Sequence, residues 1–156
     1  MRLLTALIVL VRLGDFALPA DTPAEPITRP GEQTLFDGKV KVQVADDGTM
    51  VRIEVAFIGA AGSTTERLEA KSVTAKGWFV FSESAGRVWV YRGGDSLFLM
   101  EYADNPPGGP AGSRSSTVAL APNDAKTAAA LAIAPRAVVD RLPSSFKTRA
   151  KPKSRE

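Results

Sequence analysis

Glu83 and Glu101 lie near the ends of two apolar runs, with Asp95 and Asp104 in the adjoining segments. Two carboxyl groups facing one another across a gap are what glycoside hydrolysis uses, one as acid and the other as base or nucleophile. Spacing along the chain does not by itself make such a pair. A catalytic acid also needs surroundings that move its pKa, and a carboxylate at a strand end is ordinarily solvated. The chain has no histidine and no cysteine. This removes thiol nucleophiles, disulfide staples, imidazole and thiolate metal ligands, and the commonest general base near neutral pH. An enzyme built from these residues works with carboxylates alone, and Glu83 and Glu101 are its candidates.

Three shorter motifs have simpler explanations. Ser144 and Lys147 have the spacing of a serine and its activating lysine, but the companion motifs are missing and no expected element holds the two in attack geometry. Asp46, Asp47 and Gly48 group two carboxylates beside a glycine, without the other oxygen ligands and closing glutamate of a calcium loop. The run from Gly59 to Thr64 lacks both the glycine spacing and the lysine of a phosphate loop. Neither cofactor nor metal is expected.

The aromatic residues offer a different chemistry. Trp78, Trp89, Tyr91, Phe98 and Tyr102 could stack against a sugar or a partner protein. Burial preference places most of them in a core. Trp89 and Tyr91 share a strand face with Arg87, so these three residues are the candidate ligand or partner surface. Seven of the twenty Lys and Arg residues fall between Arg136 and Arg155, against Asp140 and Glu156, which leaves the preceding chain slightly acidic. Such a tail attracts anionic polymers. It has no aromatic interleaving beyond Phe146, so a specific nucleic-acid site is not implied.

Positioning these groups falls mainly to strands. Val40, Val42 and Val44 alternate with Lys41 and Gln43, and after the turn at Asp46–Gly48 the residues Val51, Ile53, Val55 and Phe57 alternate with Arg52 and Glu54. That is the pattern of a half-buried hairpin. Gly59 to Thr65 reads as a small-residue loop and Glu66 to Thr74 as an edge strand with charges outward. Three apolar runs follow, Trp78 to Phe81, Val88 to Tyr91 and Leu97 to Met100, joined by Ser84–Gly86 and Gly93–Gly94. They predict successive hairpins, apolar on both faces, whose second face needs a cover. Pro, Gly and Ser from Ala103 to Thr117 predict a mobile loop. Pro122, Asn123 and Asp124 can cap an alanine-rich helix from Ala125 to Ala134, and Val138, Val139 and Leu142 make an apolar stripe beyond Pro135 that can serve as the cover.

The expected fold is therefore α+β: an antiparallel β-meander of about six strands with one or two short C-terminal helices packed on one face. Met1 and Arg2, the apolar run Leu3 to Val11, and Ala20 before Asp21 follow the order of a secretory signal. The run is too short to span a bilayer, and no transmembrane segment is expected. The organisation read from this is a signal over 1–20, an extended proline-containing linker over 21–33, one β-rich domain over 34–145 with a flexible loop at 103–117, and a disordered basic tail over 146–156. The functional expectation is a secreted or periplasmic binding or interaction domain without a catalytic centre, with a protein or glycan partner. The alternatives are a carboxylate-based carbohydrate-active enzyme and a cytoplasmic protein whose basic tail contacts nucleic acid.

Overall fold

A computed structural model of the chain describes residues 25–104 and 112–147. The expected signal, the loop's centre and most of the basic tail lie outside the described residues.

Alternation shapes the first half of the protein. β1 (Gly31–Leu35), β2 (Val40–Asp46), β3 (Met50–Gly59) and β4 (Gly62–Lys71) form one antiparallel sheet in chain order. Val40, Val42, Val44, Val51, Ile53, Val55 and Phe57 all point to one side and are buried. The outer face is charged. In register, Arg52 stands opposite Glu69 and Glu54 opposite Arg67, and both pairs close as ion pairs at 3.5 Å and 2.6 Å. Exposed pairs of this kind add little stability, but they keep this face wet and so fix which side becomes the core.

The second half obeys a different rule. β5 (Phe79–Ser84), β6 (Arg87–Gly93), β7 (Ser96–Asp104) and β8 (Ser113–Leu120) form a second antiparallel sheet, again in chain order. Its strands β5–β7 carry apolar residues on both faces, and each face has its own core. Val80, Val88, Val90 and Met100 pack with the valines of the first sheet, joined by partly buried Phe98 and Tyr102. Phe79, Phe81, Trp89, Tyr91, Leu97 and Leu120 pack with Val138, Leu142 and Phe146 of the C-terminal segment. Sheet, sheet and helices thus form three layers, with β5–β8 in the middle.

The helical layer has three short pieces. α1 (Ala125–Ala132) is capped by Asp124, whose side chain accepts from the Lys126 amide at 3.0 Å. α2 (Arg136–Val139) and α3 (Ser144–Lys147) follow Pro135 and Pro143. Phe146 meets Tyr91 edge to face, with centroids 6.3 Å apart and ring planes at 89°.

Several expectations need correction. The meander has eight strands in two sheets rather than about six in one, because β1 and β8 carry no hydrophobic alternation and were invisible to it. The loop expected over Gly59 to Thr65 is a two-residue turn, since Gly59 pairs with Gly62 and β4 begins there. The flexible loop expected over 103–117 includes the end of β7 and most of β8. The linker over 21–33 is ordered structure from Ile27, which is buried and exchanges both backbone hydrogen bonds with Val80, at 2.8 Å and 3.0 Å. Phe146 and Lys147, expected in the disordered tail, belong to α3, and Phe146 is core.

Trp89 is fully buried and is the largest side chain under the helical layer. Trp89→Ala should cost about 3 to 5 kcal/mol in denaturant unfolding, as truncation of a buried aromatic does. A loss below about 1 kcal/mol would show that the helices do not cover it.

Candidate functional site

Glu83, Arg87 and Glu101 meet at one pole of the second sheet. Register places Arg87 directly opposite Glu101, and the tight β5–β6 turn returns Glu83 to the same guanidinium. Arg87 donates through Nη2 and Nε to Glu101 Oε1 at 2.7 Å and 3.1 Å. Its Nη1 lies 3.8 Å from Glu83 Oε1, and Glu83 Oε2 accepts from Trp89 Nε1 at 2.9 Å. The hydrogen bonds that Arg87 donates to Glu101 raise the Arg87 pKa above its ordinary value; burial opposes this, and the charges of Glu101 and Glu83 assist it. Both carboxylates that the sequence offers as a pair thus engage one guanidinium. The structure fills the gap between them with a cation, where hydrolysis would need room for a sugar or a water.

Trp89 and Tyr91 lie beneath the helices rather than on a binding surface. They are 0% and 5% exposed, and Tyr91 donates its hydroxyl to the Gly94 carbonyl at 2.9 Å. No flat ligand reaches either ring without displacing the helical layer. Of the candidate trio, only Arg87 borders solvent.

Asp104 belongs to the facing side of the same pole. Its Oδ2 accepts from the Ala60 amide at 2.7 Å, tying the β7 end to the β3–β4 turn. Tyr102 stacks on Phe57 with centroids 5.4 Å apart. Gly59 is required by closeness: a Cβ there would collide with the Tyr102 hydroxyl and the Asp104 carboxylate. Asp95 lies in the opposite turn, where its charge reinforces the effect of burial on Tyr91.

The remaining motifs are absorbed by local structure. Asp46 Oδ1 accepts from the Gly48 amide and from Ser72 Oγ, both at 2.9 Å. Asp47 Oδ1 accepts from the Thr49 and Met50 amides. These amides, Met50 first, hold the Asp47 carboxyl below its usual pKa. This is the wiring of a turn. Lys147 Nζ donates to the Asp140 carbonyl at 3.1 Å, which secures α3 to the residue after α2.

Two grooves flank the pole. One, of about 790 Å³, runs between Glu83, Arg87 and Glu101 on one side and Arg114, Ser115 and Ser116 of β8 on the other. The second, of about 550 Å³, separates Lys39 and Ile58 from Ala85, Tyr102 and Asp104. Sequence reasoning missed β8 because a Ser-rich run reads as loop. The one available signal was the β-branched pair Thr117 and Val118 ahead of Leu120.

The four sheet edges differ in how they are closed. β1 has only five residues and carries Glu32, ion-paired to Lys41. β4 displays Glu66, Arg67, Glu69 and Lys71. β5 has Ile27 bridged to its second residue, Val80. β8 is exposed along Ser113–Ala119 and carries one charge, Arg114, and no proline. An edge strand offers unpaired backbone donors and acceptors, and proteins normally guard it with charge, proline or a cover.

No protein-family model, curated protein or solved structure matches the chain.

Burial, and then the charge of Asp95, raises the Tyr91 pKa above its ordinary 10.0. A raised pKa in the folded state stabilises below the unfolded value and loses that contribution as pH climbs through the folded one. The melting temperature of the protein should therefore fall more steeply than that of Tyr91→Phe once pH exceeds about 10. Parallel alkaline melting profiles would show that the phenol is not buried.

Proposed function

We propose that this chain is an exported, non-catalytic interaction domain that accepts an extended polypeptide strand on the edge of β8. The observation that carries the reading is that β8 is the one long edge among the described residues with neither charge pattern, proline nor cover. Strand addition draws affinity from main-chain hydrogen bonds and specificity from pockets beside alternate side chains. The groove between β8 and the Glu83–Arg87–Glu101 cluster suits the second role.

The non-catalytic part rests on that cluster, in which both candidate carboxylates engage one guanidinium. The exported part rests on the signal-like order of residues 1–20. Protein recovered from the envelope or medium should start at Asp21; an intact Met1 would contradict export.

A displayed library of extended peptides, screened on the dilute protein, should yield binders that protect the amides of 113–119 from hydrogen exchange. Adjacent residues of a strand send their N–H groups in opposite directions. One of Ser115→Pro and Ser116→Pro should therefore weaken binding at least about tenfold while leaving the β7 ladder intact. Protection mapping elsewhere, or full binding in both variants, would refute docking at β8.

A further inference from the structure

Building on the reading of β8 as a docking edge, we infer that the strand it accepts is β8 of a second copy of this chain, joined antiparallel about a two-fold axis through Ser116. A two-fold that joins two edges antiparallel must run normal to the sheet, so each face continues onto the like face of the second copy and the axis passes through a residue position. The exposed stretch Ser113–Ala119 has seven residues, and Ser116 is its centre.

Centred there, the edge complements itself. Ser116 meets Ser116 of the second copy, and Ser115 meets Thr117; hydroxyl side chains form favourable cross-strand pairs. Arg114 falls opposite Val118, which is 39% exposed, so the arginine stem can lie over an apolar side chain that now faces water. The two Arg114 residues stand four positions apart along the strands, about 13 Å, beyond the screening length in ordinary salt. No like charges meet. A parallel arrangement would set the arginines side by side.

The surroundings leave room for the second sheet. Side chains of Ser113–Ala119 are exposed on both faces, so neither the first sheet nor the helices cover the axis. Leu120, where the helical layer reaches β8, lies four positions from Ser116, and the two-fold sends the two Leu120 residues to opposite ends. The product is one continuous eight-stranded sheet, with the groove beside Arg114 walled by the second copy.

Sedimentation equilibrium of the full chain tests this, with wild type, Ser116→Lys and Ser116→Glu compared over a range of concentrations. Because Ser116 is exposed, both variants should stay folded, with Ser116→Glu the less stable of the two since register sets it opposite Glu101. Wild type should dimerise, and either charge, meeting its own kind across the axis, should weaken the dimer at least about fivefold. Mixing the Lys and Glu variants should restore association, since opposite charges then meet. A dimer indifferent to both substitutions would overturn the interface. A strictly monomeric wild type that still captures extended peptides on β8 would overturn self-pairing and leave the docking reading standing, whereas a monomer that captures none would overturn both.

Discussion

The central sheet has two apolar faces, and a sheet of that kind cannot stand with either in water. Val88 and Val90 project to one side of β6, Trp89 and Tyr91 to the other, and all four are buried. Covering the first face recruits β1–β4, whose alternating valines offer one apolar side and one charged side. Covering the second recruits three helical pieces too short to stand alone, since isolated helices of fewer than about twelve residues are marginal in water. The outer layers owe their positions to the middle one. Arg92 adds a direct link, donating from β6 to the Glu69 carbonyl of β4 at 3.0 Å while stacking on Phe98.

What could be read from the residues follows this division. The β2–β3 hairpin, the three apolar strands and the capped helix were legible because burial imprints a period of two on a strand and a cap on a helix. The need for a cover over the second face was legible too, since strands such as VWVY have no polar side to expose. β1 and β8 were not legible: apart from Leu35 and Leu120 at their ends, their side chains face water and leave no period of two. The Ile27 bridge was hidden for a related reason, as one apolar residue between prolines carries no period.

The candidate site divides the same way. Glu83, Glu101 and Arg87 were each visible as charges at strand ends, but the chain order does not say that both carboxylates turn toward one guanidinium. That depends on the β6–β7 register and the β5–β6 turn. Trp89 and Tyr91 share a face with Arg87 as alternation requires, yet sharing a face with a charged residue did not make that face a surface. The helices end the solvent's reach between Trp89 and Arg87, and the Trp89 bond to Glu83 marks the boundary. The open part of the molecule is therefore the pole and the β8 edge, where polar groups and small side chains replace the aromatic core.

The claim beneath all of this is that Trp89 is sealed between the sheet and the C-terminal helices. Tryptophan fluorescence in the Trp78→Phe background, which leaves Trp89 as the single reporter, measures it directly. The expected result is a blue-shifted emission that acrylamide barely quenches until the whole domain unfolds, with the helical circular-dichroism signal lost in the same transition. A native emission already red-shifted and freely quenched, or helices that melt before Trp89 is exposed, would contradict the three-layer account.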